Sequence, residues 1–337
     1  MKINKSDLLT ALETVKPGLA SKETTIEQST SFAFMSDKVV TYNDEISISH
    51  PVQGLEITGA VNANELYTLL SKLKKEEIEI EVNESELLLH CGRAKAGLTF
   101  QSEIKLPLDD MGSVGKWKKI PEDLLHAMSF AMGSTVKDST QPVLMCVHVN
   151  KEGFVEASDS FRISKIMIES LPINTFLIPS TSVGKIIKLN PIKIAEGDGW
   201  VHFKTEEETV ISCRTFADDT FPDTTPFLKV KGKQITLPER TKDILDRATV
   251  FCKGDGLNGE SVEITLQENV FHVKSQSESG WFEEECKMKY AGEPIEFSIS
   301  PSMLKDILVE TLTCSISENS LKFEGDNWIY VTALKNK

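Results

Sequence analysis

Side chains that commonly do chemistry are thinly spread along this chain of 337 residues. A lone histidine on a strand or helix is usually structural, and the six here lie far apart. They are His50, His90, His126, His148, His202 and His272. Two pairs of adjacent carboxylates, Asp109-Asp110 and Asp218-Asp219, lie in linker-like stretches. With Asp223, the second pair could bind a metal ion through its oxygens, so a metal-dependent enzyme is one alternative.

No motif for catalysis or cofactor binding stands out. The sequence lacks the glycine-rich loops that bind phosphates or dinucleotides, and it also lacks G-x-S-x-G and H-E-x-x-H. The six cysteines show no C-x-x-C spacing, which argues against a zinc site, and each lies in or beside an apolar run. We therefore expect buried free thiols and a protein that is not an enzyme, with no cofactor and no metal.

Length and composition favour a multidomain protein outside the membrane. A chain of 337 residues is too long for one ordinary hydrophobic core, so two or three domains are expected. No apolar run reaches the roughly 18 residues needed to span a membrane. The N-terminus lacks the apolar segment of a signal peptide. We expect a cytoplasmic protein.

A strand-and-helix pattern recurs six times. Each repeat begins with a short apolar strand that ends at a capping residue or a proline, which is a helix-start signal. The predicted helices begin near Ser6, Asn64, Pro121, Thr181, Glu239 and Pro301, at spacings of 57 to 62 residues. Alternating strands, broken by Asn, Asp, Gly or Ser-Glu turns, follow each helix. The pattern predicts an α+β fold built from six similar units.

Two linker-like stretches group these units into pairs. Residues 105–116 are acidic and glycine-containing, and residues 218–233 carry two prolines. One unit alone would bury too little surface to be stable, whereas two units that share sheets make an ordinary domain. The predicted domains are 1–112, 113–227 and 228–337.

Charge is divided unevenly between helices and strands. The net charge is −14, yet the six helical stretches with their immediate ends carry +8 and the remainder carries −22. Lysine is common on any solvated helix face, so this division has an ordinary explanation. It also predicts that helices presented together would attract a polyanion through its phosphates, while the acidic remainder would repel it.

The whole chain resembles the bacterial-type sliding clamp, the β subunit of the replicative DNA polymerase III. Four stretches carry the resemblance together with the six-unit layout. They are "CGRAKAGLTF" (91–100), "EASDSFRIS" (156–164), "FLIPSTSVGKIIK" (176–188) and "DDTFPD" (218–223). The resemblance implies a DNA-clamp fold of three similar domains, each made of two strand-helix-strand repeats. It also implies a ring of two chains, with helices inside and antiparallel sheets outside.

The function that this resemblance implies is that of a replication processivity factor. Such a homodimer encircles duplex DNA without sequence specificity and tethers the replicative DNA polymerase, the clamp loader and other proteins that carry a clamp-binding motif. The implied partner-peptide pocket is hydrophobic, and Arg162 is expected to frame its mouth. Its residues would be Ser158, Ser160, Phe161, Arg162, Ile163, Pro222, Phe227, Val331 and Ala333. The residues facing DNA would be Lys16, Lys72, Lys74, Lys137, Lys185, Lys188, Arg240 and Lys242.

The same resemblance implies a joint between the two chains. Leu98 and Phe100 on the edge strand of the first domain would meet Val250 and Phe251 of the third domain. Because an open apolar edge strand is an aggregation hazard, pairing there is reasonable. Burial of each residue in its own core is an equally good explanation.

The chain departs from the family at the pocket. Ser160-Phe161 replaces a Gly-His pair, Pro226 stands where the family has an arginine, and "ALKNK" (333–337) replaces Met-Pro-Met-Arg-Leu. We expect a pocket with a smaller lip and a different charge. Our hypothesis is a divergent or phage-encoded clamp with its own partner motif. A clamp-like regulator that binds peptides without closing a ring is the other alternative, and a ring of three chains is a further variant.

Overall fold

The computed structural model describes residues 1–22, 24–137, 140–216, 221–252 and 260–335. The chain forms two compact units. Unit 1 comprises Met1–Leu125, Asn150–Glu152 and Ser170–Asp219, and unit 2 comprises His126–Val149, Gly153–Glu169 and Thr220–Lys337. The segment predicted as the second domain contributes to both units, and the three-domain division stays a prediction.

Six α-helices lie in the described part of the chain, and each begins within three residues of its predicted start. They are α1 (Lys5–Val15), α2 (Ala63–Lys72), α3 (Leu124–Met132), α4 (Ser180–Leu189), α5 (Thr241–Ala248) and α6 (Pro301–Lys305). The first two have matching caps. Asn4 and Asn62 each accept two hydrogen bonds from the first-turn backbone N–H groups, at 2.8 and 3.2 Å and at 3.0 and 3.3 Å. These bonds satisfy N–H groups that lack a partner within the helix.

The strands of unit 1 form one continuous antiparallel sheet, apart from β13. They are β1 (Lys2–Asn4), β2 (Ser31–Ser36), β3 (Lys38–Tyr42), β4 (Ile46–Pro51), β5 (Ile57–Asn62), β6 (Glu77–Val82), β7 (Glu86–Cys91), β8 (Ala94–Gln101), β9 (Lys118–Lys119), β13 (Phe176–Pro179), β14 (Lys193–Glu196), β15 (Trp200–Lys204) and β16 (Val210–Arg214). Their order in the sheet is β1-β6-β7-β8-β5-β2-β3-β4-β16-β15-β14-β9.

Two sheets make up unit 2. Its strands are β10 (Cys146–Asn150), β11 (Phe154–Ser158), β12 (Arg162–Met167), β17 (Lys233–Thr236), β18 (Val262–Gln267), β19 (Val270–Ser277), β20 (Gly280–Lys287), β21 (Ile295–Ile299), β22 (Thr313–Ile316), β23 (Ser320–Glu324) and β24 (Trp328–Ala333). One sheet runs β10-β11-β12-β24-β23-β22-β17, and the other runs β20-β19-β18-β21.

The element order confirms the sixfold pattern. Each helix follows one strand and precedes three, from β1-α1-β2-β3-β4 to β21-α6-β22-β23-β24. The alternation within strands explains which face is buried. In β6, Ile78 and Ile80 are at most 2% exposed, while the glutamates that alternate with them face solvent. The helices bury one apolar side, as Leu8, Leu12 and Val15 do on α1.

All six cysteines are free thiols. Five of them are buried, and Cys286 is partly exposed. Burial raises the pKa of Cys314 to about 12, so this thiol stays protonated and unreactive at neutral pH. Among the described residues, no helix combines the length and apolar character needed to cross a membrane.

Candidate functional site

A cavity of about 460 Å³ in unit 2 brings together all nine residues predicted for the partner pocket. Its size lies within the range of natural ligand sites. Six further residues line it that the sequence reasoning did not assign to the pocket. They are Gln141, Leu144, Asp223, Thr224, Asn319 and Ser320. The lining therefore comes from five separate stretches of the chain, which the β12–β24 pairing and the segment after Thr220 bring together.

One wall of the cavity is the turn that joins β11 to β12. The Asp159 carboxylate accepts hydrogen bonds from the backbone N–H groups of Phe161 and Arg162, at 3.0 and 2.9 Å. Ser160 adopts a left-handed backbone with φ +72°. This tight local bonding holds the Phe161 side chain outward, where it is 41% exposed at the cavity.

Arg162 lines the cavity from a buried position and not from its mouth, which corrects our expectation. Its side chain is only 6% exposed, and its Nε lies 2.9 Å from Oδ2 of the fully buried Asp159. A second nitrogen lies 3.0 Å from Oδ2 of Asp306. Burial disfavours the charged guanidinium, but Tyr330 and the two aspartates raise the pKa of Arg162 above its ordinary value. Its charge is therefore satisfied inside unit 2.

Another wall of the cavity is the segment 222–227, which a buried polar network holds in place. Thr224 donates a hydrogen bond to Oε2 of Glu156 at 2.7 Å. The other carboxylate oxygen of Glu156 lies 3.0 Å from His148, and Lys165 lies 3.2 Å from Oε2. Burial disfavours the Glu156 carboxylate, but these partners lower its pKa below the ordinary value. The carboxylate thus stays ionised and anchors this wall.

Aromatic and aliphatic side chains give the cavity its chemistry. Phe227 is 66% exposed, which is unusual for so large an apolar side chain, and it lines the cavity together with Phe161. Leu144, Ile163 and Val331 also line the space. A cavity with these walls can hold a large apolar side chain of a docked segment.

The eight basic residues predicted to face DNA are divided between the units. Lys72, Lys74 and Lys188 in unit 1, and Lys137 and Lys242 in unit 2, are exposed. They have no ion-pair partner within the described residues. The other three are Lys16, Lys185 and Arg240.

Those three are engaged within their own units. Lys16 lies 4.1 Å from the centre of the Tyr67 ring, and Arg240 pairs with Glu284 at 3.0 Å. Lys185 is half-buried, and burial lowers its pKa. These side chains are therefore less available to phosphate than the five exposed lysines.

The residues predicted to join two chains differ in exposure. Leu98 and Phe100 are 9% and 4% exposed, so their side chains belong to the core of unit 1. This is the alternative that the sequence left open. Val250 is 65% exposed and Phe251 is half-buried. Both precede β18 and lie near β20, a free sheet edge that the sequence reasoning did not single out.

The acidic pair Asp218-Asp219, offered as a metal site, lies outside the described residues. Asp223 is exposed and lines the cavity described above. Within the described ranges, no group of three or more histidine, cysteine or acidic side chains is placed to hold a metal ion.

Comparison with known proteins finds the same fold in bacterial sliding clamps. No protein-family model and no curated sequence matches the chain. A sliding clamp (DNA polymerase III subunit beta) from Bartonella birtlesii bound to griselimycin gives a TM-score of 0.87 at 17% identity. The DNA polymerase III beta chain of Streptococcus pneumoniae gives 0.86 at 19% identity, and the Pseudomonas aeruginosa sliding clamp gives 0.85 at 17%. Each match covers 100% of this chain and 99% of the other. The predicted clamp fold is confirmed.

Proposed function

We propose, from the premise that this chain has the fold of bacterial sliding clamps, that it is a replication processivity factor. Two copies would form a ring around duplex DNA, and the cavity in unit 2 would tether the replicative DNA polymerase and other partners. The observation that carries the proposal is the full-length likeness, which covers 100% of this chain and 99% of each clamp. The likeness therefore extends over the whole chain and is not confined to one part of it.

Two free strand edges support the closure of a ring. In unit 1, β8 pairs with β5 only at Phe100 and Gln101, so the rest of its outer edge has no partner among the described strands. In unit 2, β20 ends its four-stranded sheet. Long open edges invite pairing with another chain. We propose that β8 of one copy pairs with β20 of the next.

Charge on these edges is complementary. The exposed Lys95 lies at the start of β8 and the exposed Arg93 directly before it, and β20 presents the exposed Glu283 and Glu285. Opposite charges on adjacent strands stabilise pairing, and they disfavour pairing of β20 with itself. Trp281 on β20 is 64% exposed and would supply apolar contact area.

The five exposed lysines on the helices or in the segments that follow them are the side chains proposed to meet DNA phosphates, namely Lys72, Lys74, Lys137, Lys188 and Lys242. A clamp must hold DNA topologically and still slide, so a few mobile, solvated cations suit it better than rigid base contacts. The strongly negative remainder of the chain would keep DNA away from the other surfaces. Affinity for linear DNA should therefore be weak and should fall steeply with salt.

Sedimentation equilibrium tests the assembly that the proposal requires. The chain has a mass of 37.5 kDa, and the ring predicts twice that value at micromolar concentration. A chain that remains a monomer would contradict ring closure and favour the peptide-binding regulator. A mass of three chains would retain a ring and contradict the two-chain arrangement.

A further inference from the structure

Each unit contains a similar tight turn where one group of its strands meets the next, and we call this place the strand joint. In unit 1, the turn before β4 is closed by Asn43, whose side chain accepts two backbone N–H bonds at 3.2 and 3.1 Å. In unit 2, Asp159 closes the turn before β12 in the same way, at 3.0 and 2.9 Å. The next residue is left-handed in both, with φ +76° at Asp44 and +72° at Ser160. The two joints are therefore structural repeats of each other.

Backbone hydrogen bonds align three side-chain positions around these turns. The first position directly precedes the turn. The second position is Trp200 in unit 1 and Ser320 in unit 2. The backbone carbonyl of each accepts a hydrogen bond from the backbone N–H of the residue three positions earlier, at 2.8 Å and 2.9 Å. The third position is Arg214 in unit 1 and Ala333 in unit 2. The backbone N–H of each donates to the carbonyl of the residue two positions after the one that closes the turn, at 2.9 Å and 2.7 Å. The corresponding pairs are Tyr42 with Ser158, Trp200 with Ser320, and Arg214 with Ala333.

In unit 1, large side chains fill all three positions, and we call Tyr42, Trp200 and Arg214 the plug. The Tyr42 and Trp200 rings lie 6.1 Å apart. The Arg214 guanidinium lies 4.8 Å above the Trp200 ring, and it donates to the Tyr42 hydroxyl at 3.2 Å. It also pairs with Asp44 at 2.8 Å. An aromatic pair and a cation thus close this joint from within the chain.

In unit 2, the same three positions carry small side chains. Ser158, Ser320 and Ala333 all line the 460 Å³ cavity. The cavity is therefore open where the repeat in unit 1 is closed by its plug. Phe161 and Phe227, which are 41% and 66% exposed, leave aromatic surface beside the space.

The charge lining the cavity indicates what kind of group completes it. Two charged side chains line it among the described residues, Arg162 and Asp223. Arg162 is buried and paired with Asp159 and Asp306. Asp223 is exposed, and bonds from Thr225 keep the pKa of its carboxyl below the ordinary value. The charge that remains available to a ligand is therefore negative.

We propose that the cavity accepts a partner segment that supplies the missing plug, an aromatic side chain with an arginine or lysine beside it. The aromatic ring would occupy the space left at Ser320 and Ser158, against Phe161 and Phe227. The cation would lie over that ring and face Asp223. This inference rests on the proposed function, since it names the chemistry of the partner that the pocket binds.

Binding of short fluorescent peptides to the full-length chain tests the inference. The probes are acetylated six-residue amides with Phe-Arg, Phe-Glu, Phe-Ala or Ala-Arg at the centre, each pair made in both orders. Because the aromatic ring is the anchor, the Phe-Arg peptide should bind at least about tenfold more tightly than Ala-Arg. It should bind about three- to tenfold more tightly than Phe-Glu at low salt, since the exposed contact with Asp223 changes from attraction to repulsion.

Two sets of variants separate the inference from the proposed function. Asp223→Asn should reduce the preference for Phe-Arg over Phe-Glu to below about twofold, whereas the exposed Asp326→Asn should leave it unchanged. Ser320→Trp with Ala333→Arg rebuilds the plug in unit 2 and should abolish binding while the protein stays folded by circular dichroism. If that variant fails to fold, the Asp223 comparison alone decides.

The outcomes are distinct. Phe-Glu or Ala-Arg peptides that bind as tightly as Phe-Arg would overturn the inference and leave the pocket proposal standing. If no peptide binds and the chain also fails to bind the replicative polymerase, the proposed pocket function fails together with the inference.

Discussion

The buried ion pair behind the cavity is the interaction whose removal should have the largest local effect on stability. Asp159 has no exposed side-chain surface, and Arg162 is 6% exposed. Replacing Arg162 by Met keeps the length and the apolar stem but leaves the Asp159 carboxylate without its counter-charge. Breaking one side of a buried pair costs about 3–5 kcal/mol. Because two backbone N–H groups still bond to Asp159, we expect the lower limit, about 3 kcal/mol of unfolding free energy.

The partners of Arg162 differ in their exposure, which makes the prediction specific. Asp306 has 58% of its side chain exposed, so Asp306→Asn should cost less than about 1 kcal/mol. The double variant Arg162→Met with Asp159→Asn removes both buried charges and should recover about half of the loss or more. Urea unfolding followed by tryptophan fluorescence measures each value. The reasoning fails if Asp306→Asn costs as much as Arg162→Met, or if the two changes in the double variant simply add.

Three further predictions concern pH, assembly and packing. His202 is buried and burial lowers its pKa to about 4, so the folded protein resists protonation there. Since the unfolded chain binds that proton below about pH 6.5, the free energy of unfolding should fall as pH drops from 6.5 toward 4. His202→Gln should flatten this part of a plot of Tm against pH. Glu283→Lys with Glu285→Lys should weaken the dimer at least about tenfold in sedimentation, and unchanged association would contradict the β8–β20 pairing. Gly59→Ala should lower Tm, because its Cβ would lie 2.2 Å from the Phe100 ring and 2.5 Å from the Gln101 carbonyl oxygen, and φ is +146°; an unchanged Tm would contradict this account of the site.

Local signals in the sequence predicted the repeats well. Capping side chains such as Asn4 and Asn62 act within a few residues of the helix they start, so they can be recognised without the rest of the fold. Strand alternation, as in β6, is equally local. The six helices and the α+β class therefore follow from short windows of sequence.

The cavity was harder to predict in full because its walls meet only in the folded unit. Asn319 and Ser320 lie more than 150 residues from the turn that Asp159 closes, and the β12–β24 and β23–β24 pairings bring them to the same cavity. The small size of Ser320 has meaning only in comparison with Trp200, which occupies the matching position in unit 1. A position-by-position comparison of the repeats would have pointed to Ser320.

The free sheet edges were also beyond local reasoning. The alternation of β20 resembles that of interior strands such as β19, and only the complete sheet order shows that β20 lies at an edge. For the same reason, alternation on β8 did not decide whether Leu98 and Phe100 face the core or a second chain. Their burial within unit 1 leaves the backbone and the exposed charges of β8 as the surface available for pairing.

Topological capture on DNA tests the central claim most directly. The protein is loaded on nicked circular DNA with a clamp loader and ATP, separated by size exclusion, and the DNA is then linearised. A sliding clamp predicts that the protein co-elutes with the circle and is lost from the linear form. Equal retention on both forms would contradict encirclement and indicate ordinary electrostatic binding.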